Sequence, residues 1–409
     1  MEQDLIDDLA TRMRMEFDRY QNQGGPPENF PALPDIDAQR YVSTEFFELE
    51  KERLWPNAWL FTGHVDELPE PGSYKLWKDA GVPIIIARGA DKKIRAFYNT
   101  CSHRGGPVVR EATGQVQDRF VCKYHRWTYD LSGKLIFVPD EHEFPHLDKS
   151  CRSLAKVRCE LWGNWVWINL NEKAPSLVES LGTLVQEWSG FEPEKLALVE
   201  KHSIKIGCNW KIAMEAFQEV YHLKHIHPQT VDAMINHRGA NMGLFKNGHS
   251  RMIVPNRGEK DEYYPQSPQN ELATKAGEIS CSTSLSYSIF PNVVTPTSPG
   301  EFPFLVFWPE SINRTRMDVW WWAQYANCNP GSEYWQQRIT QFDVVLGEDV
   351  ENLPFIQESC ESPAFKGVPL SYQERRIYHY NVQVDRAIGV DLIPAPLRVP
   401  PLLDHLIEA

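Results

Sequence analysis

Two short segments that each pair a cysteine with a histidine constrain the fold of this chain most strongly. The first contains Cys101 and His103, the second contains Cys122 and His125, and 18 residues lie between His103 and Cys122. Runs of alternating bulky residues surround both segments, including SYKLW, VPIIIAR, KIRAFYNT, RFVCKY and RCELWGNWVWINL. Such alternation predicts short β-strands. We therefore predict a small antiparallel β domain that presents the two segments on tight loops.

The donor set of these loops indicates a metal centre. Two thiolates and two imidazoles suit a mixed-ligand [2Fe–2S] cluster, in which two cysteines hold one iron and two histidines hold the other. Tetrahedral zinc takes the same donors and is the alternative. The spacing Cys-x-His is shorter than the usual knuckle of a zinc finger. In addition, Gly105, Gly106 and Gly133 would let the loop backbone approach inorganic sulfides, so the residues favour the cluster.

A second concentration of metal donors lies in residues 209–228, NWKIAMEAFQEVYHLKHIHP. A mononuclear Fe(II) that activates O₂ requires two histidines and one carboxylate on one face, with the opposite positions open. At about 100° per residue, His222 and His225 share one face of a regular helix, whereas His222 and His227 fall about 140° apart. Helical periodicity alone therefore favours His222 with His225.

The segments AFYNTCSHRGGPV and CKYHRWTYDLSGKL resemble the two cluster-binding loops of the Rieske ring-hydroxylating oxygenase family, over roughly residues 40 to 390. The resemblance implies a catalytic (alpha) subunit with a Rieske [2Fe–2S] cluster and a mononuclear Fe(II). The implied cluster ligands are Cys101, His103, Cys122 and His125. The implied fold is α+β, with a small antiparallel β Rieske domain and a catalytic domain in which an antiparallel sheet packs against helices, of the START or helix-grip kind.

For the second site, the resemblance favours a different pair of histidines. The pattern E-x-Y-H-x₄-H-P resembles the iron motif of the family, which implies His222 and His227 as ligands, with the helix locally unwound between them. His225 is then a neighbour that forms a hydrogen bond or faces solvent.

The carboxylate ligand must come from far along the chain. In GEDVENLPFIQES the resemblance places it at Asp349, with Glu348 and Glu351 as rivals. From the residues alone, any of these three acids can also be a solvated part of a helix, stabilised by the helix dipole.

The resemblance implies a bridging role for Glu219. Family members assemble as head-to-tail trimers in which the cluster of one subunit faces the iron of its neighbour. By position, Glu219 would join His125 of one subunit to His222 of the next, and a carboxylate on the second nitrogen of a ligating imidazole has general support. Most family members have Asp at this position, and Glu resembles the members that act on quaternary ammonium compounds.

Two further positions depart from the family pattern. Arg126 stands where the family usually has a small residue, which leaves ligation intact and alters the docking face of the cluster. Ala216 follows Glu215 where the family often has Glu-Asn, so an amide commonly found near the iron is missing.

Composition limits the remaining function classes. The formal net charge of −13 over 409 residues argues against a nucleic-acid partner. No run approaches the roughly 18 apolar residues that span a bilayer, and the N-terminus is too charged for a signal peptide. We therefore expect a cytoplasmic protein without a membrane contact. Eight cysteines without secretory features also disfavour a disulfide framework.

The pattern predicts three segments. Residues 1–40 form an arm, with an amphipathic helix at residues 2–22 and a Pro-rich stretch. Residues 41–170 form the Rieske domain, whose flanking helix at 41–55 packs on the catalytic domain. Residues 171–409 form the catalytic domain, with a helix from about Trp210, a polar irregular region near 235–280, and a last helical region from Ser332 to Gln357.

The expected function is O₂-dependent hydroxylation, dihydroxylation or demethylation of a small molecule. No glycine fingerprint for FAD or NAD is evident, so electrons from NAD(P)H should arrive through a separate reductase or ferredoxin. Predicted strands near the iron carry aromatic residues that suit an apolar, ring-containing substrate or a cage for a quaternary ammonium group: Phe290, Phe304, Phe307, Trp308, Trp320, Trp321 and Trp322. Ordinary core is an equal explanation for each. The alternative from a different class of protein is an electron carrier or ligand-binding protein with an inactive iron site.

Overall fold

The computed structural model describes residues 3–257, 279, 282–297 and 302–408. The chain forms two compact units, which we call the β unit, Trp55–Leu177, and the α+β unit, Met1–Leu54 with Val178–Ala409. Residues 41–54, which the sequence analysis grouped with the Rieske domain, thus lie in the α+β unit.

The N-terminal part of the α+β unit is mainly helical. Its elements are α1 (Gln3–Gln21), β1 (Ile36–Asp37), α2 (Gln39–Val42), α3 (Thr44–Leu49) and a π-helical turn (Glu50–Leu54). The predicted amphipathic helix is confirmed, because Ile6, Leu9 and Met13 on one face of α1 are buried.

The β unit begins with a helical turn and continues as an antiparallel β structure. Its elements are α4 (Trp55–Asn57), β2 (Leu60–His64), β3 (Ser73–Trp77), β4 (Ile84–Arg88), β5 (Ile94–Tyr98), β6 (Thr113–Gln115), β7 (Arg119–Val121), β8 (Thr128–Asp130), β9 (Leu135–Phe137), β10 (Lys156–Trp162) and β11 (Trp165–Asn169). One sheet has the order β2-β11-β10-β5-β4-β3-β6 and a smaller one the order β7-β8-β9. The predicted antiparallel β domain is confirmed. The first Cys/His segment follows β5, and the second connects β7 to β8.

The remainder of the α+β unit is built on an eight-stranded sheet. Its strands are β12 (Leu196–Ile206), β13 (Asn241–Phe245), β14 (Ser250–Pro255), β15 (Thr283–Ile289), β16 (Val293–Thr297), β17 (Phe302–Ser311), β18 (Arg314–Gln324) and β20 (Ile407–Glu408), while β19 (Gly367–Val368) pairs with β1. The sheet order is β12-β18-β17-β16-β15-β14-β13-β20. All neighbours are antiparallel except β13 and β20. The predicted α+β class is confirmed.

The helices of this part are α5 (Leu177–Leu181), α6 (Thr183–Glu187), α7 (Trp210–Glu215), α8 (Leu223–Ile226), α9 (Val231–Met234), α10 (Glu333–Val350), α11 (Leu353–Cys360) and α12 (Arg375–Ile388). Helix α12 lies against the sheet, where Arg376 Nε donates to Ser250 Oγ at 2.9 Å. Two fully buried ion pairs join the N-terminal segment to these helices: Arg40 with Asp385 and Lys211 with Glu50, each at 2.6 Å. Removing one partner of such a pair costs roughly 3–5 kcal/mol.

The predicted last helical region is confirmed. It consists of two helices, α10 and α11, because Pro354 in the first turn of α11 cannot continue a preceding helix. The region 235–280 was predicted to be irregular, yet it contains β13 and β14. Residues 258–278 and 280 of that region lie outside the described residues. In the described part of the chain, no helix combines the length and the hydropathy that crossing a bilayer requires.

Candidate metal centres

The four Cys/His side chains of the first motif meet in the β unit. The ring centroids of His103 and His125 lie 4.6 Å apart, and Cys101 and Cys122 are buried free thiols. Burial raises the pKa of the Cys101 thiol, and the nearby charge of Cys122 raises it further. Two sulfurs and two imidazoles thus converge, as the spacing predicts.

The two loops close with the same hydrogen-bond pattern. In each, the cysteine N–H donates to a carbonyl five residues on, and the cysteine carbonyl accepts from the N–H four residues on. The bonds are Cys101 N to Gly106 O (2.9 Å), Gly105 N to Cys101 O (3.0 Å), Cys122 N to Trp127 O (3.0 Å) and Arg126 N to Cys122 O (2.9 Å). The residue four positions after each cysteine has a positive φ, +73° at Gly105 and +58° at Arg126. Arg126 is therefore the structural counterpart of Gly105.

His103 has the environment of a metal donor. Its Nδ1 atom is buried and makes no hydrogen bond to a described residue, although buried polar atoms normally find a partner. Burial, followed by the charges of His125 and Arg104, lowers the pKa of His103, which keeps the imidazole neutral and able to ligate. The ring is stacked on Trp127, with centroids 4.8 Å apart and planes 8° apart. This donor set fits a mixed-ligand cluster.

The three glycines of the motif have different roles. A Cβ on Gly106 would lie 3.6 Å from Cys122 Sγ, so this glycine does lie beside the donor set. At Gly133, packing against the core accounts for the glycine. With φ at +84°, a Cβ there would lie 2.5 Å from a ring carbon of Phe97. Close packing in the core of the β unit explains that glycine.

The second site is formed by His222, His227 and Asp349 in the α+β unit. One donor atom from each residue can be chosen so that all lie within 4.8 Å of one another. His227 Nε2 is 2.9 Å and His222 Nε2 is 3.5 Å from Asp349 Oδ1. Two imidazoles and one carboxylate grouped in this way fit the facial triad of a mononuclear iron.

The two histidines of the triad flank a short helical turn. Helix α7 ends at Glu215, and the next residues are irregular until α8 forms a single turn at Leu223–Ile226. His222 and His227 are the two residues that flank this turn. The expected unwinding between the histidines is therefore wrong in its position: the segment between them is helical, and the break precedes His222. The rings of His222 and His227 nevertheless converge, with centroids 5.3 Å apart. His225 is exposed and is not part of the triad.

Each histidine of the triad has a carboxylate on its Nδ1 atom. Glu219 Oε1 is hydrogen-bonded to His222 Nδ1, and Glu348 Oε2 lies 2.6 Å from His227 Nδ1. Glu348, a rival ligand in the sequence analysis, therefore lies behind His227, away from Asp349, and the other rival, Glu351, is exposed. The pairing of Glu348 with His227 was missed. Its adjacency to Asp349 was the only signal in the sequence.

These carboxylates affect the imidazoles electrostatically. Burial lowers the pKa of both histidines, but hydrogen bonds and charges of the neighbouring carboxylates outweigh burial, so the pKa of His222 and of His227 is raised overall. The site is thus an anionic cluster around two imidazoles, which favours a bound cation.

Comparison with known families identifies the chain. The profile of the Rieske [2Fe-2S] domain matches residues 58–155, and that of the ring-hydroxylating alpha subunit (catalytic domain) matches residues 193–389. The chain belongs to the Rieske ring-hydroxylating oxygenase alpha subunits. The first match includes both Cys/His loops, so the Rieske cluster, rather than zinc, is the cofactor that this donor set fits.

Relatives of this Rieske-family chain have different named substrates. It is 32% identical over 216 residues to the carnitine monooxygenase oxygenase subunit of Acinetobacter pittii (strain PHEA-2), covering 51% of this chain and 57% of the relative. It is 34% identical over 200 residues to the 2-aminobenzenesulfonate 2,3-dioxygenase subunit alpha of Alcaligenes sp, covering 48% and 50%. The chain therefore spans about half the length of these curated relatives.

A crystal structure supports the fold. The chain is similar to a quaternary ammonium Rieske monooxygenase in complex with L-carnitine, with a TM-score of 0.71 and 21% identity over 89% of this chain and 98% of that one.

A cavity of about 900 Å³ opens at the triad of this Rieske-family chain, with His222, His227 and Asp349 in its wall. Among the described residues, most of the other side chains that line it are apolar, including Val220, Met234, Ile235, Met252, Val254 and Leu285. Ala216, the departure from the family pattern, also lines the cavity.

Of the two explanations for the seven aromatic residues on the strands, a substrate lining or ordinary core, the described lining of the cavity supports ordinary core. None of Phe290, Phe304, Phe307, Trp308, Trp320, Trp321 and Trp322 belongs to that lining. Phe307 packs behind Phe217 with centroids 5.7 Å apart, and Trp321 packs behind Phe342 at 5.2 Å. Alternation along a strand shows that the strand has two faces, but it does not show which face lines a cavity. Here the aromatic residues belong to the core that packs beneath the side chains of the cavity wall.

Proposed function

We propose that this chain is the terminal component of an O₂-dependent Rieske oxygenase. It would oxygenate an apolar, ring-containing small molecule with electrons that a separate NAD(P)H-dependent reductase or a ferredoxin supplies. One observation carries the proposal: a triad of two histidines and one carboxylate lies in the wall of a largely apolar cavity of about 900 Å³. Cavities of roughly 300–1,000 Å³ with a few converging polar groups are typical small-molecule sites.

The residues of the two sites would have distinct tasks. Cys101, His103, Cys122 and His125 would hold the [2Fe–2S] cluster. His222, His227 and Asp349 would hold Fe(II) on one face. When bound, the iron would activate O₂ and the cluster would supply single electrons. The apolar walls would orient the substrate and exclude bulk water from the reacting atoms.

Glu219 would connect the two centres across a subunit boundary. Its carboxylate is hydrogen-bonded to His222 Nδ1, which provides one half of the bridge that the family resemblance implies. The other half would be His125 of a neighbouring subunit in a homotrimer. The His125 ring is only partly buried, and the neighbouring Tyr124 is 57% exposed, so the imidazole edge is accessible to a partner.

The shape of the cavity supports a ring-containing substrate. One face of α10 lines it from Tyr334 to Asp349, which corresponds to about 22 Å of helix. A cavity extended along four turns suits a molecule larger than a small methylated amine.

Oxidation of a quaternary ammonium or N-methyl compound is the second candidate. The named activity of the Acinetobacter relative and the glutamate at position 219 favour it. The positions of the aromatic residues argue against this candidate. The described lining of the cavity contains three of them: Tyr334, Phe342 and Phe217. Tyr334 and Phe342 are eight residues apart on α10, about 12 Å along the helix, so they do not enclose one ammonium group.

A carrier or binding protein with an inactive iron site is the alternative from another class. The grouping of all three triad donors supports the enzyme instead. Metal analysis separates them, because the enzyme would contain about three irons per chain and the carrier about two.

The function is tested by turnover of the purified, iron-replete chain with a reductase and NADH. Aromatic, steroid and quaternary ammonium compounds are compared, and product is scored against NADH and O₂ consumed. We expect coupled oxygenation of a ring compound. Coupled product only from carnitine-like amines would replace the substrate class, and the absence of both triad iron and product from every compound would exclude the oxygenase.

A further inference from the structure

Glu348 makes two short contacts beside the triad. Its Oε2 atom lies 2.6 Å from His227 Nδ1 and accepts a hydrogen bond of 2.7 Å from Thr230 Oγ1. The Glu348 side chain is 29% exposed, whereas that of His227 is 2% exposed. The partly exposed carboxylate of Glu348 therefore contacts the buried His227 imidazole at Nδ1, on the side of the ring opposite the triad.

This contact determines which nitrogen of His227 is available. A carboxylate only accepts, so Nδ1 must carry the proton that it donates to Glu348. In the neutral imidazole that would ligate a metal, the lone pair is then on Nε2, the atom that lies 2.9 Å from Asp349 Oδ1. The tautomer that Glu348 selects is thus the one in which the lone pair is directed into the triad.

Thr230 restricts the carboxylate in turn. It follows His227 by three residues, and its N–H donates to the carbonyl oxygen of His227 at 3.3 Å. Because Thr230 and His227 bind the same oxygen of Glu348, movement of that oxygen disrupts both hydrogen bonds. The arrangement on His227 parallels that of Glu219 on His222, and each imidazole is oriented by its own acid.

We propose that Glu348 is a positioning residue that, with Thr230, fixes the tautomer and ring plane of His227 and thereby strengthens the binding of ferrous ion to the triad. The inference rests on the proposed function only in taking the triad as the iron site. Partners of this kind typically change metal affinity by about 10-fold to 100-fold.

The test compares Glu348→Ala and Glu348→Gln with Glu351→Ala and Glu351→Gln in the full chain. Glu351 is a matched control because it lies three residues further on, is exposed, and makes no side-chain hydrogen bond to a described residue. Fe(II) affinity is measured by competition with a chelator, and site geometry by paramagnetic resonance of the ferrous site with nitric oxide as probe. The reduced-cluster spectrum monitors the fold of the β unit.

We expect the dissociation constant for Fe(II) to rise about 100-fold in Glu348→Ala and about 10-fold in Glu348→Gln. The amide oxygen of Gln still accepts from Nδ1 but lacks the charge. The rhombicity of the nitric oxide signal should change in both, while the Glu351 variants match the wild type. Unchanged affinity and signal in Glu348→Ala would overturn the inference. Failure of the wild type itself to bind Fe(II) at the triad would instead overturn the proposed function.

Discussion

His227 and Asp349 are 122 residues apart in the chain, yet His227 Nε2 lies 2.9 Å from Asp349 Oδ1. His227 ends the single turn of α8, and Asp349 lies in the last turn of α10. The triad therefore forms only where these two helices pack together. A change that displaces either helix should disturb the site without touching a donor.

Replacing His222 with alanine should remove the mononuclear iron and leave the cluster intact. The triad loses one of three donors, while the cluster motif lies in a different unit of the chain. We expect about two irons per chain in place of about three, with an unchanged reduced-cluster spectrum. Loss of the cluster as well would contradict the assignment of the two sites to separate units.

His225→Ala is the matched control for this substitution. His225 is exposed and is not grouped with Asp349, so metal analysis should give about three irons. Loss of iron would restore the pair of histidines that helical periodicity favours.

Glu219→Gln should retain both metal centres but abolish turnover. The amide keeps much of the shape of the side chain, but it removes the charge that is hydrogen-bonded to His222 Nδ1. Rapid mixing of the reduced chain with substrate and O₂ should show a cluster that is no longer oxidised during a single turnover. Glu351→Gln removes the same charge from an exposed position and should behave as the wild type. Normal cluster oxidation in Glu219→Gln would exclude the bridging role.

Arg126→Gly should stabilise the fold of the second loop. Arg126 has φ at +58°, a left-handed conformation that its counterpart Gly105 adopts without steric cost. Relief of that strain should contribute about 1 kcal/mol to the free energy of unfolding. Thermal unfolding of the cluster-loaded chain measures the effect.

Lys123→Gly is the control for the backbone argument. Lys123 is an exposed cation of the same loop and is not among the residues with a positive φ. Glycine there should lower the unfolding midpoint, because it only adds freedom to the unfolded chain. A midpoint that falls equally in both variants would show that Arg126 is not strained.

Glu215 should make stability depend on pH. Burial raises the pKa of this carboxyl to about 7 from its ordinary 4.5, despite hydrogen bonds from Asn381 and Tyr41. The folded state thus favours the protonated form. Stability is unaffected below pH 4.5, falls as pH rises towards 7, and remains lower above it by on the order of 3 kcal/mol.

Glu215→Gln should remove this dependence, since the amide is neutral at every pH. The free energy of unfolding of the variant, relative to the wild type, should increase between pH 5 and pH 8 in chemical denaturation. Glu358→Gln, at an exposed position of α11, should show no such trend. A difference between Glu215→Gln and the wild type that is constant with pH would contradict the raised pKa.

Much of the β unit could be predicted because its signals are local. Alternating residues indicated antiparallel strands, and Cys101-x-His103 places two donors within reach of one another whatever the rest of the chain does. The triad of the α+β unit is different. Periodicity favoured His225, and only the family resemblance pointed to His227 and Asp349, because a triad whose carboxylate lies 122 residues from His227 depends on how distant elements pack.

Residue identity and spacing by themselves determined the donor chemistry of this protein: which side chains can ligate and which segments form strands. Tertiary structure alone decided what surrounds those donors. It placed Glu348 on His227, put Trp321 behind Phe342 and not at the cavity, and set Gly133 against Phe97. The reason is physical: a local pattern specifies conformation and amphipathic faces, but the neighbours of each face depend on how distant elements pack.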